Sequence, residues 1–194
     1  MLDNILAIWL AVVKWPLTLF MDAAFFRGTR RRAASEFAAW ADKAAAAGPA
    51  AVARATAERV AYANDPLGGL LDYVAAPAVT WARQRGDCDD FAYLCAELLR
   101  RAGVECWLAS YFCWKLGDSH VVCLFRDGNA YAVMDQGLIR GPFATLDEAA
   151  DAGNPGVKNA ARYVRRYGLG EDFIGKRFVK NPNPLPGPPP CDGA

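Results

Sequence analysis

Gly86-Asp87-Cys88-Asp89-Asp90-Phe91-Ala92 runs on into Leu94, Cys95, Leu98 and Leu99 and then meets Gly103. The apolar positions recur at helical spacing. Asp87 supplies a capping oxygen with Asp90 three residues later, and Gly103 is a stop, so the stretch predicts a helix from Asp87 to about Ala102. Cys88 falls in its first turn. Beyond it the period changes: Val104–Lys115, His120–Arg126 and Tyr131–Asp135 are rich in aromatic and β-branched residues and read as strands. Gly117-Asp118 and Asp127-Gly128-Asn129 are turn signals between them, so the sheet is expected to be an antiparallel meander, with a fourth strand through Leu138 and Ile139.

The chemistry of this block lies in its order. A thiol, Cys88, is followed by the chain's sole histidine, His120, and by a carboxylate, Asp135. A cysteine is a nucleophile as thiolate, and the unpaired amides of a helix N-terminus favour that form. Three flanking carboxylates oppose it unless Asp89 and Asp90 turn toward backbone or toward Arg85, Arg100 or Arg101. His120 opens one expected strand and Asp135 ends the next, so a hairpin would set them side by side, with Asp135 orienting the imidazole. The oxyanion donors expected are the Cys88 amide and either Gln84 or the Trp81 indole. Gln136 and Asp89 are candidates to line the substrate.

Size and composition narrow the rest. A chain of 194 residues suits one core with extensions, and a net charge of +1 provides no global field for nucleic acid. Cys88, Cys95, Cys106, Cys113 and Cys123 form no CxxC pair and have a single histidine among them, which argues against zinc; the apolar neighbours of Cys95, Cys106, Cys113 and Cys123 argue for packing, and a reducing compartment is expected. Residues 1–28 are an apolar segment expected to be a buried helix, an interfacial helix or a membrane span, in that order, because Lys14, Pro16 and Asp22 interrupt it. Asp3 before the apolar run and the lack of a small-residue cleavage site speak against a cleaved secretory signal.

Residues 29–69 read as a helical extension. One helix ends at Gly48-Pro49, and a second, with Ala53, Ala57, Val60 and Ala61 as its inner stripe, runs to Asn64-Asp65-Pro66. Residues 70–180 form the expected domain, with short helices broken near Pro77 and further helices at Thr145–Ala152 and Val157–Tyr167. The charge run Lys158, Arg162, Arg165 and Arg166 reads as a solvated face. Residues 181–194 are a proline-rich, extended tail.

Gly86-Asp87-Cys88-Asp89-Asp90-Phe91-Ala92, Ser119-His120-Val121-Val122 and Met134-Asp135-Gln136 resemble the three motif blocks of transglutaminase-like cysteine peptidases, over roughly residues 70 to 140. The resemblance implies a papain-like α+β fold, a nucleophile helix packed on a small antiparallel sheet, with Cys88, His120 and Asp135 as the matched triad and no cofactor. Asp89 stands where the eukaryotic enzymes carry a tryptophan, which looks like the bacterial and phage branches and favours hydrolysis over cross-linking. Some bacterial members bind calcium near such acids. An acid run is more often a cap and a solvated face, so no metal is assigned.

Two function classes follow. One is a thiol-dependent amide hydrolase acting on a peptide or protein. The other is a non-catalytic assembly protein, for example a phage virion component, docking through residues 1–28 and the proline-rich tail. The expected location is cytoplasmic or virion-associated, with a membrane surface as an optional partner and no specific nucleic acid.

Overall fold

The computed structural model describes residues 15–64, 73–112, 119–154, 160–167 and 173–179. The first half comprises α1 (Trp15–Met21), a π-helical turn (Asp22–Phe26), α2 (Arg27–Ala46), α3 (Pro49–Arg59), β1 (Ala61–Tyr62), α4 (Pro77–Arg83), β2 (Arg85–Gly86) and α5 (Cys88–Arg101). The second comprises β3 (Cys106–Phe112), β4 (His120–Asp127), β5 (Ala130–Asp135), β6 (Leu138–Phe143), α6 (Leu146–Ala152), β7 (Ala160–Arg166) and β8 (Phe173–Val179). The protein is α+β. The larger sheet has the order β6-β5-β4-β3-β7-β8 and every pairing in it is antiparallel.

The α5 helix forms where the capping residues and apolar spacing place it. Asp87 accepts from the amides of Asp89 (3.2 Å) and Asp90 (3.5 Å). At the other end Gly103 takes φ +72°, and the amides of Gly103 and Val104 reach the carbonyls of Arg100 and Leu99, which closes the helix with a Schellman motif. Phe91, Leu94, Cys95, Leu98 and Leu99 are buried against Cys106, Leu108, Val121, Cys123, Phe125 and Met134 of the sheet. The opposite sheet face, Trp107, Ala109, Tyr111, Val122, Leu124, Val133 and Val164, is covered by Ala149 and Ala150 of α6. Both faces of β4 are therefore buried, which explains why its sequence does not alternate cleanly between apolar and polar.

The N-terminal helices share the α5 core. Ala33, Phe37, Ala41, Val52, Ala53 and Val60 join the cluster that includes Trp81 and Leu94. Leu17, Met21 and Phe26 pack on Tyr73, Ala75 and Val79, while Phe20 (60%) and Phe25 (63%) are exposed. The part of the apolar segment that is described is thus seated against its own chain on one side. Residues 1–14 and the proline-rich tail lie outside the described residues. No helix among the described residues is long and apolar enough to cross a membrane.

Four expectations are corrected. The helix after Pro49 ends at Arg59 rather than at Asn64, because the Ala61 and Ala63 amides are taken by the carbonyls of Gln84 and Gly86 (2.9 Å each) in a short parallel bridge. Its inner stripe is Val52, Ala53, Thr56 and Val60, with Ala57 and Ala61 outside it. Of the segment expected as a helix over Val157–Tyr167, the described part instead forms β7 (Ala160–Arg166), which occupies the edge that β3 would otherwise leave unpaired, while residues 157–159 lie outside the described residues. Its charge run is not one solvated face. Arg162 is 3% exposed and its guanidinium spans Asp147 (2.6 Å) and Asp151 (2.7 Å), one turn apart on α6. Arg165, on the other side of the strand, lies over the Tyr93 ring of α5.

Candidate active site

Cys88 is the first residue of α5, is partly buried and is in no disulfide. Its surroundings are set by the acids beside it. Asp87 is committed to the cap, and Asp90 accepts from the Ala75 amide at 2.8 Å, tying the start of α5 to the segment that leads into α4. Asp90 also lies flat over Gly86: a Cβ there would come within 2.5 Å of the Asp90 Cβ, so a side chain at 86 is excluded. Asp90 has therefore turned to backbone. Arg100 and Arg101, considered as partners for these acids, sit at the far end of the helix and pair with Glu97 and Asp42. The nearest oxygens of Asp87, Asp89 and Asp90 fall within 4.8 Å of one another, a spacing that could hold a cation.

His120 and Asp135 are both buried, and His120 Nε2 lies 3.0 Å from Asp135 Oδ1. The last registered pair of β4 and β5 is Cys123 with Met134, so His120 reaches Asp135 diagonally across the strand ends. Two features fix Asp135. Gln136 (φ +47°) and Gly137 (φ +84°) make a two-residue turn with the type I′ pattern, pairing Asp135 with Leu138. Gly137 then rests on α3, where an added Cβ would meet the Ala57 Cβ at 2.5 Å and the Ala53 carbonyl at 2.9 Å.

Arg140 was not foreseen. Its Nη2 donates to Asp135 Oδ2 at 3.3 Å, so the carboxylate is held between imidazole and guanidinium. A signal existed, because the tight turn places residue 140 opposite 133 and on the same sheet face as 135. Tyr62 had no local signal. It pairs with Gly86 across β1 and β2, and its ring stacks on Phe91 at 6.5 Å and 27°. Burial, then the charges of Cys88, Asp87, Asp89 and Asp135, push its phenol above the usual tyrosine range.

The other candidates are placed as follows. Trp81 is buried against Phe37 and Trp40, with the Arg59 guanidinium 4.4 Å from its ring centroid. Gln84 is exposed and ends α4 in a left-handed conformation, φ +56°. Gln136 is half-buried in the turn, and Asp89 is 3% exposed. Cys95, Cys106 and Cys123 are enclosed in the core, and burial pushes the Cys95 thiol up to about 12 and the Cys123 thiol well above its ordinary value. The Cys95 and Cys123 thiols therefore stay protonated and inert. Cys113 and Cys191 lie outside the described residues.

Fold and site define a class: an α+β protein with a cysteine at a helix N-terminus, the helix packed on an antiparallel sheet whose strand ends carry a histidine–aspartate pair. Among solved structures the chain is similar to Legionella pneumophila LapG. The calcium-bound form matches at 20% identity and TM-score 0.49, over 81% of this chain and 85% of that one. Two further LapG structures match at 22% and 20% identity with TM-scores of 0.42 and 0.43, the second after EGTA treatment. They cover 52% and 57% of this chain, which spans 64% and 65% of theirs, just under two thirds. No protein-family model matches the sequence, and no curated protein matches it.

Proposed function

We propose that the protein is a thiol-dependent amide hydrolase of the transglutaminase-like cysteine peptidase type, with Cys88 as nucleophile, His120 as general acid and base, and Asp135 as the group that orients the imidazole. The observation that carries this reading is the buried His120–Asp135 contact at 3.0 Å on strand ends of the sheet on which α5 packs. Asp135 engages Nε2, which leaves Nδ1 as the ring nitrogen to exchange a proton with sulfur. The thiolate adds to the amide carbonyl carbon, the C–N bond breaks, and the amine leaves with the His120 proton. Water, deprotonated by His120, then cleaves the thioester to a carboxylic acid.

The substrate this chemistry fits is a peptide or protein amide. Incubation with a denatured protein pool, read as new N-termini by mass spectrometry, tests the reading. The wild-type chain is expected to generate cleavages that Cys88→Ala and His120→Ala do not. Asp135→Asn, which keeps the shape and removes the charge, should slow turnover by about 10⁴-fold. Cleavage undiminished in Cys88→Ala would refute the assignment.

A further inference from the structure

We propose that Tyr62 is the second oxyanion donor of this site, its hydroxyl hydrogen-bonding the substrate carbonyl oxygen as the Cys88 sulfur adds to the carbonyl carbon. This rests on the thiol-hydrolase reading above. Backbone pairing places the residue: Tyr62 lies opposite Gly86, two residues ahead of the nucleophile, and the amides of Ala61 and Ala63 bracket it with bonds of 2.9 Å to Gln84 and Gly86. Its ring rests on Phe91, one helical turn beyond Cys88 and therefore on the same face of α5. The ring is held without being covered, at 38% exposed. A residue in that position is anchored to the chain two residues ahead of the nucleophile and keeps a solvent-facing ring on the Cys88 side of α5.

Burial, and then the nearby Cys88, Asp87, Asp89 and Asp135, disfavour a phenolate. The group stays a neutral O–H, a donor in a neighbourhood otherwise rich in acceptors. In the addition step the C–S bond forms while the carbonyl π pair moves onto oxygen, which accepts from the Cys88 amide and from Tyr62. The pair returns as the C–N bond breaks, nitrogen takes its proton from His120, and Tyr62 keeps its own. The donors expected from sequence are placed differently: Trp81 is enclosed by Phe37 and Trp40, and Gln84 ends α4.

The experiment compares two reactions of Cys88 in the full chain. p-Nitrophenyl acetate acylates the thiol through a tetrahedral oxyanion, whereas iodoacetamide alkylates it by displacement with none. Rates are taken as the part abolished by Cys88→Ala, which removes the background of other thiols. Tyr62→Phe, whose ring can still stack on Phe91, is expected to slow Cys88-dependent acylation by about 10²-fold or more. Alkylation of Cys88 and its pH profile should stay within about twofold of wild type, the margin that separates a lost oxyanion contact from a perturbed thiol. Acylation equal to wild type would overturn the proposal, and so would acylation and alkylation falling together, since Tyr62 would then act on the thiol itself. A wild-type chain showing neither Cys88-dependent acylation nor selective Cys88 alkylation would instead bring down the underlying hydrolase reading, and this proposal with it.

Discussion

Replacing Gly137 with alanine tests how the orienting acid is held. Two costs arise at that position, and they can be separated. At φ +84° a side chain is disfavoured in the left-handed region, worth about 1–2 kcal/mol. The new Cβ would also lie 2.5 Å from the Ala57 Cβ and 2.9 Å from the Ala53 carbonyl, and the latter is backbone that cannot rotate away. Overpacking of this kind costs about 1–3 kcal/mol more. Gly128 is the control, because it has φ +60° in the preceding hairpin and nothing within 4 Å of an added Cβ.

Urea unfolding followed by tryptophan fluorescence should therefore show Gly137→Ala less stable than Gly128→Ala by about 1–3 kcal/mol. Gly137→Ala should also depress thiol chemistry, because the turn it displaces carries Asp135 away from His120. Ala57→Gly in the Gly137→Ala background removes one of the two clashes and should restore part of the loss. Two glycine variants equal within about 0.5 kcal/mol would refute the docking of this turn on α3 as the feature that sets Asp135.

Arg162→Met should destabilise the protein by about 2–3 kcal/mol in the same assay, because a buried guanidinium loses charge-assisted bonds to α6, whereas Asp147→Asn, on the exposed side of the pair, should cost under about 1 kcal/mol. Equal losses would show that the burial of Arg162 does not matter. Raising the pH should weaken the fold: Cys95 keeps its proton to about 12 in the folded chain while the unfolded thiol releases it near the ordinary thiol value of 9.0. The stability contributed is complete below the unfolded value and falls by about 1.4 kcal/mol per pH unit per buried thiol above it. Unfolding midpoints between about pH 9 and 11 should fall less steeply in Cys95→Ala, and parallel slopes would contradict the burial of that thiol.

The elements around Cys88 were readable because their signals are local. A cap at Asp87, apolar residues at helical spacing and a glycine stop specify α5, and turn residues at hairpin spacing specify β4 and β5. The same locality misled the reading of residues 157–167, where a charged and alanine-containing run has helical composition. The exposed edge of β3 and the two acids of α6 make it a strand with Arg162 turned inward. The end of α3 was misplaced for a related reason, since its stop is the backbone of Gln84–Gly86, distant in sequence.

By itself the sequence determined which groups are available for chemistry and the local frames that carry them: a thiol at a helix start, the sole imidazole at a strand start and a carboxylate before a tight turn. Cap, period and turn chemistry act over a few residues, and that is the range in which they can be read. Only the tertiary structure decided which charges surround those groups. It placed Arg140 on Asp135, turned Asp90 onto the Ala75 amide and paired Tyr62 with Gly86, two residues ahead of Cys88, through a two-residue parallel bridge, because such contacts arise from packing between distant segments.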